Sequence, residues 1–279
     1  MDDHVILLND GNSLPKIGFG VYLIQEQQML EAVRAAYRTG YRLFDTASFY
    51  ENEEFLGQAI RQLGIPRDEI QIATKAWTTE LGYEEVKEAL RRSLARLQTD
   101  YVDVYLIHWP LRDEKKLSET WTAMEEIKDK GFVRSIGVCN FKQHHLKVIH
   151  KGHRYVPAIN QIERHPLLTQ QDLVVYDRSH RIATQAWSPL MRGRKVMDLE
   201  LIRSLAEKYG KTPAQIVLNW DIREGVIPIP KSVTPSRISE NFHALDFSLS
   251  EEDVRSIDAL NADLRSGADP DAYAFEPKS

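Results

Sequence analysis

One repeating pattern constrains the fold of this chain more than any other feature. Short apolar runs rich in β-branched residues alternate with amphipathic stretches of about three turns or more. In the stretch Glu84–Leu97, for example, apolar side chains recur at the spacing of one buried helical face. The runs that qualify as strands are Ile17–Val21, Arg42–Asp45, Ile70–Lys75, Val102–His108, Ser135–Val138, Ala158–Ile162, Ile182–Ala186 and Val226–Ile229. The alternation predicts eight parallel strands connected by helices.

The length of the chain favours a closed barrel over an open sheet. Dividing 279 residues among eight units leaves about 35 residues for each strand, helix and pair of loops. An open sheet that binds a dinucleotide should carry G-x-G-x-x-G after its first strand, but Val21-Tyr22-Leu23 follows Gly18-Phe19-Gly20 and the third glycine is missing. We therefore predict one α/β domain over residues 1–279, a (β/α)₈ TIM barrel. Its C-terminal tail, residues 266–279, either folds over the rim of the barrel or stays disordered.

A hairpin is predicted before the first barrel strand. Val5–Leu8 and Ser13–Lys16 flank the turn sequence Asn9-Asp10-Gly11-Asn12. We expect this N-terminal β-hairpin to plug the bottom of the barrel.

Composition excludes several classes of partner. Lysine and arginine (36) are outnumbered by aspartate and glutamate (41), and the net charge of −5 argues against nucleic acid. The single cysteine, Cys139, excludes a disulfide framework and fits a reducing cytoplasm. His144 and His145 lie in a predicted surface helix without carboxylate partners, so no metal is expected. No basic and apolar leader or run of about 18 apolar residues occurs, so we expect a soluble cytoplasmic protein with no membrane contact, and nothing requires more than a monomer.

Four proton-handling residues fall at or just after the ends of three consecutive predicted strands. Asp45 ends the second strand and Tyr50 follows it in the loop, Lys75 ends the third and His108 ends the fourth. In a barrel these ends share one rim, where active sites lie. Separately, Asp45 could cap a helix, Tyr50 could be a surface aromatic and Lys75 could extend its ammonium to water.

Together the four residues suit the reduction of a carbonyl group. A phenol is a weak acid, and a neighbouring Lys75 ammonium lowers the pKa of Tyr50. Asp45 could hold Lys75 in place, while His108 could donate a hydrogen bond to the carbonyl oxygen or share in proton transfer. Such a site protonates an alkoxide as it forms, which hydride reduction requires.

The same residues lie in segments that resemble known motifs. Phe44–Glu53 resembles the D-T-A-x-x-Y-x-N-E signature of the aldo-keto reductases, Ile72–Trp77 its T-K-x-W strand and Leu106–Pro110 its L-x-H-W-P segment. Further segments follow in the order of that family: Gly137–Phe141, Asn160–Glu163, Trp187–Leu190 and Ile229–Ser232. The short loops and tail look most like the bacterial and protist-type members, which include diketogluconate reductases and prostaglandin F synthases.

The resemblance implies a (β/α)₈ barrel that uses NADPH to reduce small aldehydes, ketones or dicarbonyls. Tyr50 would donate the proton, Lys75 and Asp45 would tune it, and His108 would orient the substrate carbonyl. Two other functions stay open: a Schiff-base aldolase built on Lys75, and a cofactor-sensing binding subunit without strong catalysis.

The segment after the eighth strand suits the phosphate end of the cofactor. Thr234 and Pro235 start a helix whose N-terminal amides attract anions, and Lys231 and Arg237 add two positive charges. An NAD site would instead place an acidic residue at the ribose, so NADPH is expected. The other residues predicted at this end are Ser232, Val233, Glu240 and Asn241, the last two at the adenine by resemblance.

The nicotinamide end is predicted at the fifth to seventh strands. Asn140 and Gln161 carry amides suited to a carboxamide, and Trp187 offers a flat face for stacking. Cys139 stands where the family usually has serine, and a thiol is a weaker donor, so nicotinamide binding should be somewhat weaker. Ser188 and Leu190 complete this end by resemblance. Beside His108, the residues expected to wall the substrate pocket, with core packing as the alternative, are Tyr22, Phe49, Trp77 and Trp109.

Overall fold

All eight predicted barrel strands form, preceded by the predicted hairpin. The computed structural model describes residues 4–193 and 195–272. The antiparallel hairpin consists of β1 (Val5–Leu7) and β2 (Ser13–Pro15). The barrel strands are β3 (Phe19–Gly20), β4 (Leu43–Asp45), β5 (Gln71–Ala76), β6 (Val102–Ile107), β7 (Val133–Cys139), β8 (Ile159–Glu163), β9 (Ala183–Trp187) and β10 (Ile227–Ile229). They are parallel and lie side by side in chain order.

Backbone hydrogen bonds close the sheet into a barrel. The amide of Gly18 donates to the carbonyl of Pro228 at 3.0 Å, and that of Gly20 donates to Pro230 at 3.0 Å. A Cβ atom on Gly18 would lie 2.6 Å from Cδ1 of Ile229, so glycine lets the first and last strands meet without displacing that side chain. The predicted (β/α)₈ barrel is therefore confirmed.

Helices cover the outside of the barrel and connect its strands. Their bounds are α1 (Glu26–Thr39), α2 (Glu53–Gln62), α3 (Tyr83–Leu97), α4 (Glu114–Asp129), α5 (Gln143–His150), α6 (Gln171–Ser179), α7 (Glu200–Tyr209), α8 (Pro213–Arg223), α9 (Pro235–Phe242) and α10 (Glu251–Asp258). The predicted helix at Glu84–Leu97 is α3, which buries Val86 and Leu90 against the barrel. Two helices, α7 and α8, lie between β9 and β10, and α7, α8 and α10 share an apolar cluster of their own.

The hairpin seals the amino-terminal end of the barrel, as predicted. Leu8 and Leu14 pack into the same apolar cluster as Leu43, Val104 and Ile159 inside the barrel. Burial of these side chains explains why so short a hairpin is stable, since an isolated two-stranded hairpin is marginal in water. The opposite rim, at the carboxyl ends of the strands, is left open for a site.

The end of the chain continues past α10 and is only partly described. Ser266 and Gly267 of the predicted tail hydrogen-bond to Glu163 at the barrel rim, whereas residues 273–279 fall outside the described residues. Within residues 4–193 and 195–272, no helix has both the length and the apolar character to span a bilayer.

Candidate active site

Lys75 links two of the other proton-handling residues at the open rim. Its Nζ donates hydrogen bonds to Oδ1 of Asp45 at 2.6 Å and to the carbonyl oxygen of Thr46 at 2.8 Å. The hydroxyl oxygen of Tyr50 lies 3.4 Å from the same nitrogen. Parallel pairing of β4 with β5 brings these groups together, because both strands end at this rim. The three acceptors match the three hydrogens of the ammonium.

Lys75 is held in its charged form. Its side chain is 0% exposed, and burial on its own would lower its pKa. The Asp45 carboxylate and the Tyr50 oxygen more than offset that effect, so the pKa of Lys75 is raised above its ordinary value. Asp45 is fixed in turn, because its Oδ2 accepts a hydrogen bond from Nε2 of Gln161 at 2.8 Å. The ammonium is therefore a permanent part of the site.

Tyr50 stays a neutral phenol. Burial raises its pKa above the ordinary value, while the Lys75 ammonium pulls it down by a smaller amount. The effect of Lys75 has the predicted direction, but the expectation of a lowered pKa for Tyr50 is wrong because desolvation of the phenolate outweighs the ammonium. The phenol therefore carries its proton, ready to donate it, and the adjacent ammonium stabilises the phenolate that donation leaves.

His108 is a neutral imidazole facing Tyr50. The residue directly follows β6 and is buried, and burial, followed by the charge of Lys75, holds its pKa well below the ordinary value. The ring centroids of His108 and Tyr50 lie 5.6 Å apart in an edge-to-face arrangement. Among the described residues Nδ1 of His108 has no hydrogen-bond partner. A neutral ring of this kind donates one hydrogen bond and does not act as a strong acid.

A single cleft joins these residues to the predicted cofactor and substrate residues. Its volume is about 870 Å³, and it runs across the carboxyl ends of the strands. Lys75 lies beneath its floor, behind Asp45 and Tyr50. All the other predicted site residues line it: Tyr22, Asp45, Phe49, Tyr50, Trp77, His108, Trp109, Cys139, Asn140, Gln161, Trp187, Ser188, Leu190, Lys231, Ser232, Val233, Thr234, Arg237, Glu240 and Asn241.

Aromatic rings surround the Tyr50 hydroxyl, where a substrate would bind. Phe49 and Trp77 stack with centroids 3.8 Å apart, and Tyr22 packs against Tyr50 at 4.8 Å. Trp77 also meets the edge of His108 at 5.0 Å. These rings form an apolar wall beside the proton donors, which favours a small, partly apolar carbonyl compound.

The far end of the cleft suits an anion. Helix α9 begins after Thr234, and no side chain among the described residues caps its first amides. Lys231 and Arg237 are exposed beside that helix start, and Ser232 accepts a hydrogen bond from the Thr234 amide at 3.1 Å. Amides at a helix start together with two cations form a site that fits a phosphate monoester.

The middle of the cleft has amides, an indole and an unpartnered hydroxyl. Nε1 of Trp187 donates to Oδ1 of Asn140 at 2.8 Å, and Nδ2 of Asn140 donates to the carbonyl of His108 at 3.0 Å. The buried Oγ of Ser188 has no partner among the described residues. Ser188 (φ 52°) adopts the left-handed backbone region, which is uncommon for serine and frequent at functional sites. These groups fit a nicotinamide and its carboxamide.

Sequence reasoning missed several residues that line the same cleft. Arg192 and Met197 come from the long connection between β9 and α7, and Gly267 comes from the tail. The guanidinium of Arg192 lies 5.9 Å from the Tyr22 ring. The one feature of the sequence that could have indicated Arg192 is the basic run at 192–195. The place of Arg192 in the cleft, however, depends on loop geometry and not on strand register.

His144 and His145 do have an acidic neighbour, contrary to expectation. Nε2 of His144 lies 3.0 Å and Nε2 of His145 lies 3.5 Å from Oδ1 of Asp271, because the tail returns over α5. These three residues could in principle hold a metal ion. However, the Lys142 amide donates to Nδ1 of His145, which leaves the proton of the neutral ring on Nε2, and the Lys142 ammonium lies 2.6 Å from the same carboxylate. The cluster therefore suits hydrogen bonds better than a metal.

Known proteins are similar to this chain in both sequence and fold. The model of the Aldo/keto reductase family matches residues 16–262. Methylglyoxal reductase DkgA of Escherichia coli O157:H7 is 45% identical, covering 96% of this chain and 98% of that protein. The 9,11-endoperoxide prostaglandin H2 reductase of Trypanosoma cruzi is 43% identical, covering 96% and 95%.

A solved structure adds the same fold with a cofactor bound. The crystal structure of a mutant of Gox0644 in complex with NADPH has a TM-score of 0.92 and 40% identity, covering 97% of this chain and 98% of that one. The predicted resemblance to bacterial and protist-type members is confirmed by these relatives. With a family match over most of its length and a complete set of proton-handling residues in its cleft, this chain belongs to the aldo/keto reductase family.

Proposed function

We propose that this protein reduces small aldehydes and dicarbonyl compounds to alcohols with NADPH. The observation that carries the proposal is that the Tyr50 hydroxyl, 3.4 Å from the Lys75 ammonium, opens into the same cleft as the cationic start of α9. A proton donor and a phosphate site are thus joined by one cavity of about 870 Å³. The family and the names of its relatives, a methylglyoxal reductase among them, support the same reaction.

The residues of the cleft divide the binding of the cofactor between its two ends. NADPH, when bound, supplies the hydride that is transferred to the carbonyl carbon of the substrate. Lys231 and Arg237 would pair with its 2′-phosphate beside the amides of α9. Trp187 would offer the face of its indole to the nicotinamide ring, and the Ser188 hydroxyl, which has no partner among the described residues, would be free to bind the cofactor.

Tyr50 and His108 then act on one oxygen atom of the substrate. The N–H of neutral His108 donates a hydrogen bond to the carbonyl oxygen, which orients the substrate and polarises its C=O bond. As that oxygen gains negative charge, the phenol of Tyr50 transfers its proton to it and the alcohol forms. The Lys75 ammonium stabilises the resulting phenolate, and Asp45 keeps Lys75 in position.

The two other functions fit the site less well. An aldolase needs a neutral amine at Lys75, but this side chain is fully buried, charged and bonded to three acceptors. A binding subunit would not need a complete set of catalytic groups. This protein has all four of them, because the cleft is lined by Asp45, Tyr50 and His108, and Lys75 is hydrogen-bonded to the first two.

A substrate panel tests the proposal. The protein should oxidise NADPH in the presence of methylglyoxal, glyoxal and small aromatic aldehydes, and it should use NADH much less well. Absence of turnover with every carbonyl of the panel, by protein that is folded and binds NADPH, would favour the binding subunit. Trapping of a substrate adduct on Lys75 by borohydride would favour the aldolase.

We also propose that residues 1–279 form a single domain that is monomeric and located in the cytoplasm. Support comes from the one buried thiol, Cys139, which suits a reducing compartment, and from the acidic surface. Light scattering coupled to size exclusion, with a mass near 32.2 kDa as the expected result, tests the monomer.

A further inference from the structure

Glu163 is a buried carboxylate that the proposed mechanism does not use. It is the last residue of β8, and its side chain is 0% exposed. Oε1 of Glu163 accepts hydrogen bonds from the amides of Ser266 at 2.6 Å and Gly267 at 3.1 Å, and also from the hydroxyl of Ser266. Nε2 of His165 lies 3.4 Å away. A carboxylate in so dry a place is stabilised only if donors surround it, and here the end of the chain supplies most of them.

Glu163 is ionised in this position. Burial would raise its pKa, but the hydrogen bonds from His165, from the Ser266 side chain and from the amides of Ser266 and Gly267 outweigh burial and lower it. The charge strengthens each of these bonds, because bonds to an ionised acceptor are roughly twice as strong as neutral ones. Residues 265–271, called the C-terminal strap below, are therefore tied to the end of β8.

The strap touches the residue that is expected to support the nicotinamide. A Cβ atom on Gly267 would lie 2.5 Å from Cη2 of Trp187, so the backbone of Gly267 packs directly against the six-membered ring of the indole. The five-membered ring of the same indole is fixed by the hydrogen bond from Nε1 of Trp187 to Asn140. Both rings of the indole are thus held, and Gly267 itself lines the cleft.

A second, exposed tether holds the other end of the strap. The Lys142 ammonium lies 2.7 Å from Asp269 and 2.6 Å from Asp271. These ion pairs are open to solvent and weaken with salt, whereas the Glu163 bonds are shielded from it. The hydrogen bonds to Glu163, more than the ion pairs of Lys142, therefore set the distance between the strap and Trp187.

We propose that Glu163 is a positioning residue, which acts through Gly267 to fix the Trp187 indole as a rigid platform for the nicotinamide ring. The inference rests on the proposed function, because it assumes that NADPH occupies the cleft. Its physical basis is preorganisation: a ring that is already fixed loses no freedom when the ligand stacks on it, so binding is tighter. Loosening the strap should weaken NADPH binding without removing any group that touches the cofactor.

Two substitutions break this connection at different points. Glu163→Gln keeps the shape of the side chain but removes its charge and places an NH₂ group towards the Gly267 amide and Arg265, which weakens its hold on the strap. Gly267→Ala leaves Glu163 intact and drives a methyl group into the Trp187 ring. Glu125→Gln is the matched control, because Oε1 of Glu125 also accepts two loop amides, from Arg154 and Tyr155 at 2.7 Å each, in a place that does not line the cleft.

Two measurements separate positioning from general damage. The protein contains five tryptophans, so fluorine NMR of protein labelled with 5-fluorotryptophan, with Trp187→Phe for assignment, reports on the Trp187 ring in the absence of NADPH. We expect Glu163→Gln and Gly267→Ala to shift or broaden the Trp187 signal and to leave the other signals in place. Both variants should raise the Kd for NADPH about tenfold, whereas Glu125→Gln should change neither quantity.

Each outcome decides the matter. An unchanged Trp187 signal and Kd in both strap variants would overturn the proposal, as would equal changes in Glu125→Gln. If Glu163→Gln fails to fold, Ser266→Ala, which removes only the hydroxyl that donates to Glu163, gives the answer. Failure of the wild-type protein to bind NADPH would instead overturn the proposed function, while the NMR signal of the protein without cofactor would still show whether Glu163 controls Trp187.

Discussion

The ammonium nitrogen of Lys75 lies 3.4 Å from the hydroxyl oxygen of Tyr50. At this distance a lysine that stays charged lies next to a phenol that stays protonated. Burial raises the pKa of Tyr50, and the pKa of Lys75 is raised as well. The phenol of Tyr50 therefore keeps its proton until negative charge develops on a neighbouring oxygen atom. The arrangement suits an acid that acts at one step, not a permanent phenolate.

Removal of the Tyr50 hydroxyl should abolish most of the reduction. In Tyr50→Phe the ring remains packed against Tyr22 and His108, so the cleft keeps its shape. We expect kcat for methylglyoxal to fall by a factor of about 10² to 10⁴, the usual contribution of general acid catalysis. The Kd for NADPH, measured by fluorescence titration, should stay within about twofold. Retention of most of the activity would show that another group donates the proton.

Lys231 and Arg237 should discriminate between NADPH and NADH. Both are exposed beside the start of α9, and only NADPH carries a 2′-phosphate for them to pair with. Lys231→Ala and Arg237→Ala should each raise the Kd for NADPH about tenfold, because a charge-assisted hydrogen bond to phosphate is lost. The Kd for NADH should change little. Arg223→Ala, at the end of α8 and outside the cleft, is the control, and equal effects on both cofactors would rule out the phosphate role.

The position of the candidate catalytic residues could be predicted from sequence because strand register determines it. Asp45 and Lys75 occur at the ends of strands whose alternation with helices is visible in the sequence, and parallel pairing brings those ends to one rim. The family motifs then identified the reaction as carbonyl reduction, and the family match confirms this class of reaction.

Residues placed by loops could not be predicted in the same way. Gly267 reaches the cleft only because the tail returns over β8 to Glu163, more than a hundred positions earlier in the chain. No local periodicity encodes such a contact. The pKa of Tyr50 was misjudged for a related reason: sequence shows that a lysine is near, but the amount of burial that opposes its effect depends on packing.

His108 should make the stability of the protein depend on pH. Burial and then the Lys75 charge lower its pKa in the folded state, whereas in the unfolded chain the pKa is about 6.5. Below about pH 6.5 the unfolded chain therefore binds a proton that the folded protein does not, so the free energy of unfolding falls as the pH falls. This loss continues until the pH reaches the lowered pKa of the folded state.

Urea unfolding of wild type and His108→Gln between about pH 5 and pH 7.5 measures that contribution. The wild-type free energy of unfolding should rise with pH more steeply than that of the variant, by up to about 1.4 kcal/mol per pH unit, the value for one proton. The other titrating groups are the same in both proteins and cancel in the difference. Parallel curves would mean that His108 binds its proton equally well in the folded and unfolded states.

Cys139 offers the sharpest test of the nicotinamide end of the cleft. It is the last residue of β7, is buried and lines the cleft next to Asn140 and Gln161. Its Sγ lies 3.2 Å from Nδ2 of Asn140 and 3.8 Å from Oε1 of Gln161. Burial raises the pKa of the thiol, so it stays protonated and can offer only a weak hydrogen bond. A carboxamide bound at this point would therefore be incompletely satisfied.

Cys139→Ser should tighten NADPH binding, which is unusual for a substitution in a buried site. A hydroxyl is a better donor than a thiol, and one neutral hydrogen bond is worth about 0.5–1.5 kcal/mol, so we expect the Kd to fall about two- to tenfold. Cys139→Ala is the control: it removes the donor altogether and should weaken binding or leave it unchanged. Calorimetric titration of the three proteins with NADPH distinguishes them, because a gain in the serine variant must come from the new hydroxyl. Equal Kd values for the serine and alanine variants would mean that no cofactor group reaches this position, and that the carboxamide is held by Asn140 and Gln161 alone.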